Sequence, residues 1–163
     1  MLSEEEKRKH RCCFTGHRPQ KLHRPEEEIK VDLEAAILQA IADGYTTFIT
    51  GMAYGVDIWA GQIVVRLRES NPGIKLIAAV PFRGFESSWS NNWKRAYAKL
   101  LGQADLVRCI CSGYSARAYQ RRNEWMVDHS NRVIAVFNGE DSGTKNTVEY
   151  AMRAQVKLYQ VVG

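Results

Sequence analysis

Apolar residues recur along this chain with two alternating periods, and each period predicts a different secondary-structure element. Over residues 26–43 they return at every third or fourth position, which places them on one face of a helix. Residues 75–80 are almost continuously apolar after the first, as in a parallel strand that is covered on both faces. The pattern therefore predicts strands separated by helices.

This alternation extends over nearly the whole chain. Strands are predicted at residues 12–15, 45–50, 75–80, 106–111, 132–137 and 157–161, and helices at 26–43, 56–68, 90–102, 119–129 and 145–155. Right-handed crossovers and burial of both sheet faces then give a Rossmann-like α/β fold: a doubly wound, mostly parallel sheet with helices on both faces. We expect the strand order 3-2-1-4-5-6, which brings the turns after the first and fourth strands to the topological switch point.

Composition indicates a globular protein, and the charge is compatible with an anionic ligand. The chain is 45% hydrophobic and 25% charged, with a formal net charge of +5 and a pI of about 9.1. This excess is too small to make nucleic-acid binding the default. No apolar run reaches membrane-spanning length and no signal-peptide core is present, so we expect a cytoplasmic protein without a membrane partner. Residues 1–10 are expected to be a solvated charged leader, and residues 11–163 a single domain.

The four cysteines, Cys12, Cys13, Cys109 and Cys111, all fall in predicted strands. Neither pair has the spacing of a zinc site, so no metal site is expected. Buried, reduced core cysteines are the favoured interpretation.

A glycine-bearing turn at residues 50–57, Thr-Gly-Met-Ala-Tyr-Gly-Val-Asp, joins the second predicted strand to the next helix. Glycine lets the backbone approach a ligand closely, and the first amides of a helix attract anions such as phosphate. The turn offers five candidate ligand-binding residues: Gly51, Met52, Ala53, Gly55 and Asp57. The alternatives are a tight turn without a ligand and a purely structural cap by Asp57.

A second glycine-bearing loop precedes the last predicted helix. Ser142, Gly143, Thr144 and Thr147 could contact phosphate oxygens there, although plain helix capping is an equal alternative. The first predicted strand ends in Thr15, Gly16, His17 and Arg18, at the sheet edge where ligands bind in open α/β folds. These four residues are predicted to line the floor of the site, the alternative being a solvated loop.

One helix contributes a third polar cluster. Arg122 could clamp a phosphate, Asn123 could contact the ligand, and Glu124 could orient a ribose or activate water as a general base. Arg122 and Glu124 are therefore the candidate catalytic residues. Glu149 is a second candidate carboxylate, and surface salt bridging is the alternative for both glutamates.

Four segments together resemble the YpsA-like family of the SLOG superfamily, a bacterial family: residues 15–19, 50–57, 122–128 and 142–147. The resemblance extends over about residues 12–161. It implies a Rossmann-like fold and a nucleotide-derived ligand, with no known cofactor. The superfamily includes phosphoribohydrolases of the Lonely Guy type, which cleave the base from a nucleoside monophosphate, and the DNA-processing protein A family, which binds single-stranded DNA.

The sequence departs from the phosphoribohydrolases at residues 140–144, where Glu-Asp-Ser-Gly-Thr replaces most of their Pro-Gly-Gly-x-Gly-Thr motif. The paired glutamates expected just after that motif are also missing. We therefore expect binding of a nucleotide-like small molecule, as in a sensor or regulatory module, with N-glycosidic hydrolysis as the alternative. Single-stranded DNA binding ranks third, supported by Arg117, Tyr119, Arg121 and Arg122. Exposed aromatic faces at Trp89 and Trp93 are compatible with a homo-oligomer or a protein partner.

Overall fold

A six-stranded, wholly parallel sheet forms the centre of the computed structural model, which describes all 163 residues. The strands are β1 (Arg11–Gly16), β2 (Thr47–Thr50), β3 (Lys75–Val80), β4 (Leu106–Cys109), β5 (Arg132–Phe137) and β6 (Lys157–Val162). The helices are α1 (Glu4–Arg8), α2 (Glu26–Ala42), α3 (Val56–Arg68), α4 (Asn91–Gln103), α5 (Ala118–Asp128) and α6 (Gly143–Arg153). A single 3-10 turn covers Pro19–Lys21.

The order of the strands confirms the doubly wound class but not the predicted arrangement. The sheet runs β4-β3-β2-β1-β5-β6, so β5 rather than β4 lies beside β1. In the register between them, Thr15 is opposite Ala135 and Gly16 is opposite Val136. The predicted 3-2-1-4-5-6 order is therefore wrong. The topological switch lies between the turns after β1 and β5, and the loop after β4 is at the far edge of the sheet.

Two hydrophobic clusters cover the two faces of the sheet. The larger contains 27 buried residues, including the apolar faces of α2, α3 and α4, and the smaller contains 11, including those of α5 and α6. Alternate β1 side chains enter each cluster: Cys12 and Phe14 lie in the first and Cys13 in the second. Helices thus pack on both faces, as the near-continuous apolar strands predicted. No helix is both long and apolar enough to cross a bilayer.

The prediction of four buried cysteines holds for only one pair. Cys12 and Cys13 are completely buried, whereas Cys109 is exposed and Cys111 is half-buried. β4 is one of the two edge strands, and all four of its residues are exposed, unlike the buried residues of the central strands. An apolar run alone does not distinguish an edge strand from a central one.

The charged leader contains a short helix rather than an irregular tail. The Ser3 hydroxyl accepts a hydrogen bond from the amide of Glu6, and the Glu6 carboxylate accepts one from the amide of Ser3. This reciprocal capping box begins α1, and an ion pair between Arg11 and Glu4 ties the helix to β1. The helix buries none of its residues, as expected for a solvated leader.

Candidate functional site

A cleft of about 330 Å³ opens at the carboxyl edge of the sheet, at the switch between β1 and β5. It is bounded by the end of β1, the turn before α3, the first turn of α5 and the start of α6. The lining residues are Thr15, Gly16, His17, Arg18, Lys21, Ala53, Asp57, Tyr119, Arg122, Asn123, Ser142, Gly143 and Thr144. The structure thus brings together residues from all four of the segments that the sequence singled out.

Four predicted ligand-binding residues do not line the cleft, because each has a structural task. Met52 is completely buried, and the Thr147 hydroxyl donates to the carbonyl of Gly143 at 2.8 Å. A Cβ on Gly51 would lie 2.8 Å from Asp57 Oδ2 and 2.9 Å from Arg122 Cζ. Gly55 has a φ of 97°, and a Cβ there would lie 2.6 Å from the Pro19 ring. Both glycines are therefore required by close packing, and neither contacts the cleft.

The turn before α3 is held together by its own side chains. The Thr50 hydroxyl donates to the carbonyl oxygen of Asp57 at 2.7 Å, and the Ala53 amide donates to Asp57 Oδ2 at 3.3 Å. α3 has no side-chain cap, so the Asp57 carboxyl holds the turn that precedes the helix rather than capping the helix itself, and it also lines the cleft. Burial raises the pKa of this carboxyl, and the charges of Arg122 and Arg18 oppose that rise.

Arg122 is a buried cation at the base of the cleft, with only 3% of its surface exposed. Its guanidinium donates to the carbonyl oxygen of Gly51 through Nη1 and to Asn123 Oδ1 through Nε, the latter at 2.8 Å. Burial lowers the pKa of Arg122 to about 10, an effect that the Asp57 charge opposes. The group remains charged at neutral pH, so the cleft has a fixed positive charge at its base.

His17 presents a buried donor. Its Nε2 accepts a hydrogen bond from the amide of Asn138 at 3.2 Å, whereas its Nδ1 is buried and has no partner. Burial lowers the pKa of the imidazole, so the ring is neutral at neutral pH. A neutral ring that accepts at Nε2 carries its proton on Nδ1. His17, a residue of the cleft lining, therefore has an N–H group without an acceptor.

The start of α6 forms the opposite wall. Ser142 caps this helix, since its hydroxyl accepts from the amide of Lys145 at 3.2 Å, which was the capping alternative for this loop. Thr144 is buried and approaches Thr15 across the switch, with 3.5 Å between the two hydroxyl oxygens. The first amides of α6 and the positive end of its dipole therefore lie at the cleft.

Lys21 also lines the cleft, although it was not among the predicted site residues. The 3-10 turn that begins at Pro19 folds Lys21 back toward the second glycine loop, where its amine donates to the carbonyl oxygen of Asp141 at 2.8 Å. The available signal was a second cation three residues after Arg18, next to a proline that favours a tight turn. Tyr119, considered only as a DNA-stacking residue, also lines the cleft.

The candidate catalytic glutamate is not in the cleft lining. Arg122 and Asn123 are buried on α5, but Glu124 is rotated away from them and accepts a hydrogen bond from Gln120 Nε2 at 3.0 Å. Glu149 is exposed on α6. Asp57 is therefore the only carboxylate among the lining residues, against the cations Arg18, Lys21 and Arg122. No cluster of three or more His, Cys, Asp or Glu side chains is placed to hold a metal ion.

Comparison with sequence families gives a consistent result. The YpsA family model, described as the YspA SLOG family, matches residues 12–161. An uncharacterized SPbeta prophage-derived protein, YoqJ, of Bacillus subtilis is 38% identical over 118 residues, which are 65% of this chain and 69% of that protein. A UPF0398 protein of Halalkalibacterium halodurans is 30% identical over 139 residues, covering 80% of this chain and 74% of the relative.

Two solved structures share the fold. DNA processing protein A (DprA) from Streptococcus pneumoniae superposes with a TM-score of 0.68 over 95% of this chain, at 18% sequence identity. DNA processing protein A from Helicobacter pylori, whose structure is described for its single-stranded DNA binding mode, gives a TM-score of 0.64 over 92% of this chain, also at 18% identity. This chain spans only 51% and 64% of those two chains.

Proposed function

The chain belongs to the YspA SLOG family, and we propose that it binds a nucleotide or nucleotide-derived small molecule in the cleft at the switch point. The phosphate would lie against the start of α6, where the helix dipole and free amides favour an anion. Arg18, Lys21 and Arg122 would supply the balancing positive charge. The ligand's occupancy would act as a signal, so the protein would serve as a sensor or regulatory module.

The buried guanidinium of Arg122 is the observation that carries this proposal. Its Nε and Nη1 hydrogen bonds go to an amide oxygen and a carbonyl oxygen, not to a carboxylate. A buried cation is costly unless an anion or several acceptors compensate it. The nearby Asp57 carboxyl offsets part of this charge, and a phosphate in the cleft would add a second anion that could bind the remaining Nη2 group. The unpartnered Nδ1–H of His17 would provide a second donor.

Binding without turnover is favoured over N-glycosidic hydrolysis. Glycoside cleavage generally uses a carboxylate to activate water or stabilise positive charge on the sugar. Asp57 is the only carboxylate in the cleft lining, and its Oδ2 already accepts a hydrogen bond from the Ala53 amide. The glutamates proposed for this chemistry, Glu124 and Glu149, lie outside the lining.

Isothermal titration with purified protein tests the proposal, after a thermal-shift screen of nucleoside monophosphates, NAD, ADP-ribose and cyclic dinucleotides. A true ligand raises the apparent melting temperature in a dose-dependent way. We expect Arg122→Met to weaken its binding at least about tenfold, since a hydrogen bond to a charged group contributes roughly 1.5–3 kcal/mol. Arg121→Met is the matched control, because Arg121 is the preceding residue of α5 and is exposed.

Three results are informative. A ligand recovered intact by chromatography after incubation supports the sensor function, and conversion to free base and sugar phosphate would support hydrolysis instead. Equal affinities of the two arginine variants would contradict a phosphate site at Arg122. No shift with any compound would remove the small-molecule proposal.

Single-stranded DNA is the second candidate ligand, because the two structural neighbours are DNA processing proteins and one is described for this binding mode. Arg117 and Arg121 are exposed at the start of α5, close to Tyr119. DNA bound there would be held by phosphate contacts and ring stacking, so its affinity would fall steeply with salt. Fluorescence polarisation with a labelled oligothymidine at several salt concentrations tests this, and no binding at low salt would eliminate it.

A further inference from the structure

A second cavity, of about 520 Å³, lies next to the cleft and shares Arg18 and Tyr119 with it. Its other walls are mainly aromatic, and we call it the aromatic pocket. They are formed by Tyr54, Phe85, Trp89 and Trp93, together with Ser88 and Ser90. Two of these rings, Trp89 and Trp93, are the ones whose exposed faces were compatible with a homo-oligomer or a protein partner.

Trp89 packs edge to face against two other rings of the aromatic pocket, which fixes its orientation. The Trp89 ring lies 5.3 Å from the Tyr54 ring and 5.0 Å from the Phe85 ring between centroids, at interplanar angles of 76° and 79°. Tyr54, Trp89 and Trp93 are only half-buried. Part of each ring is therefore open to the cavity, while the rest of the cluster holds it in place.

Arg18 connects the two cavities. Its guanidinium lies 4.5 Å from the centroid of the Tyr54 ring, and Gln20 Nε2 donates to the Tyr54 hydroxyl at 3.1 Å. One charged side chain thus borders both the phosphate cleft and the aromatic pocket, which are neighbours. Arg18 is also the only charged residue that lines the aromatic pocket.

We propose that the aromatic pocket binds the base of the nucleotide whose phosphate lies in the cleft. This proposal rests on the proposed function, which places the phosphate of the ligand but not its base. A flat, uncharged heteroaromatic ring matches a pocket of aromatic walls, since base–aromatic stacking does not depend on a particular hydrogen-bonding pattern. Ser88, which is exposed at its rim, offers a hydroxyl to the edge of the base.

The shared position of Arg18 also limits the size of the ligand. Phosphate and base must lie on either side of one guanidinium, and a single ribose separates them in a nucleoside monophosphate. A compound with the phosphate and ribose but no base, ribose 5-phosphate, would fill the cleft and leave the aromatic pocket empty. Comparing a nucleoside monophosphate with ribose 5-phosphate therefore tests the base site separately from the phosphate site, without any mutation.

The test is isothermal titration of adenosine, guanosine, cytidine and uridine monophosphates and of ribose 5-phosphate into the wild-type protein. We expect at least one nucleotide to bind more than about tenfold tighter than ribose 5-phosphate, the factor appropriate to one stacked base. Tryptophan fluorescence should be quenched by that nucleotide and not by the sugar phosphate.

Trp89→Leu provides the second measurement, with Trp125→Leu as the matched control. Trp125 is half-buried on α5, stacks on His129 and lines neither cavity. Trp89→Leu should lower the affinity for the nucleotide to the affinity for ribose 5-phosphate. The affinity for ribose 5-phosphate should change by less than about twofold, because this compound has no base to stack. The control should retain the preference for the nucleotide.

The failures of the two proposals can be told apart. Equal affinity of the wild-type protein for the nucleotides and for ribose 5-phosphate would overturn the base site and leave the phosphate site standing. A nucleotide preference that survives Trp89→Leu would also overturn it, because the base would then lie elsewhere. Absence of binding by all five compounds, together with no thermal shift by NAD, ADP-ribose or the cyclic dinucleotides, would overturn the proposed function, and the base site with it.

Discussion

Arg122 on α5 donates a hydrogen bond to the carbonyl oxygen of Gly51, at the end of β2. Two segments 71 residues apart in the chain are thereby joined at the base of the cleft. Asp57 approaches the same glycine, since a Cβ at position 51 would meet both side chains. The absence of a side chain at Gly51 is thus what allows the buried cation and the buried carboxyl to lie close together.

Replacing Gly51 by alanine should therefore destabilise the protein and disturb the site. The new methyl would lie 2.8 Å from Asp57 Oδ2 and 2.9 Å from Arg122 Cζ, too close for either group to stay in place. We expect a loss of about 1–3 kcal/mol in the free energy of unfolding, the usual cost of overpacking. Urea denaturation measures it.

Gly113→Ala is the control for this variant, because nothing lies within 4 Å of a Cβ at position 113. It should change the free energy of unfolding by less than about 0.5 kcal/mol, as exposed positions usually do. Equal stabilities of the two variants would contradict the packing described around Gly51.

The stability of the protein should also depend on the protonation of His17. Burial depresses the pKa of this imidazole in the folded state below its ordinary value of 6.5. The contribution of the neutral His17 ring to the free energy of unfolding is therefore fully present above pH 6.5. It is lost as the pH falls through the lower folded-state pKa. Protonation of Nε2 would break the hydrogen bond from the Asn138 amide, worth about 1 kcal/mol.

Replacing His17 by glutamine isolates this effect, since an amide oxygen can accept the same hydrogen bond but does not titrate. Unfolding free energies of both proteins should be measured by urea denaturation between pH 7.5 and 5. We expect the wild type to lose more stability than His17→Gln over this range. Parallel pH profiles would show that His17 does not titrate as proposed.

Asp57 should have the opposite dependence on pH. Burial raises its folded-state pKa above the ordinary value of 3.8, so the folded protein binds the proton more tightly than the unfolded chain does. Relative to Asp57→Asn, the wild type should therefore lose stability as the pH rises from about 3.8 through the folded-state pKa. Urea denaturation of both proteins across this range measures the difference in the free energy of unfolding. An increase in the stability of the wild type relative to Asp57→Asn as the pH rises would refute the raised pKa.

Glu124→Gln should leave ligand affinity within about twofold of the wild type, because Glu124 lies outside the cleft lining and bonds to Gln120. The affinity is measured with whichever nucleotide the screen identifies. Asn123→Ala, one position earlier and in the cleft lining, should weaken binding. A large loss of ligand affinity in Glu124→Gln would contradict this prediction. If the wild type releases free base from the nucleotide and only Glu124→Gln fails to do so, the hydrolase alternative is supported instead.

Local patterns were sufficient for the six strands and the five longer helices but not for α1, the 3-10 turn or the arrangement of the strands. The helix predicted at residues 26–43 corresponds to α2 (Glu26–Ala42), because its apolar period has only one structural solution. The strand order was wrong because β4 and β5 are both short apolar runs. Which of them pairs with β1 depends on packing across the sheet, and no local period records it.

The candidate site was predicted in the same uneven way. The four segments meet at one cleft, because glycine turns at the carboxyl ends of parallel strands share an edge. The directions of individual side chains could not be predicted from the sequence. Thr147 turns back to the carbonyl of Gly143, and Glu124 lies beside Gln120, whereas Lys21 enters only because a 3-10 turn redirects the chain.

The adjacency of β1 and β5 has a consequence for synthesis on the ribosome. Thr15 lies at the floor of the cleft and Thr144 at its opposite wall. The two residues are 129 positions apart, so Thr144 is synthesised long after Thr15. A nascent chain cannot assemble the cleft until α6 has emerged from the exit tunnel. A chain that ends before α6 would therefore lack this wall of the cleft.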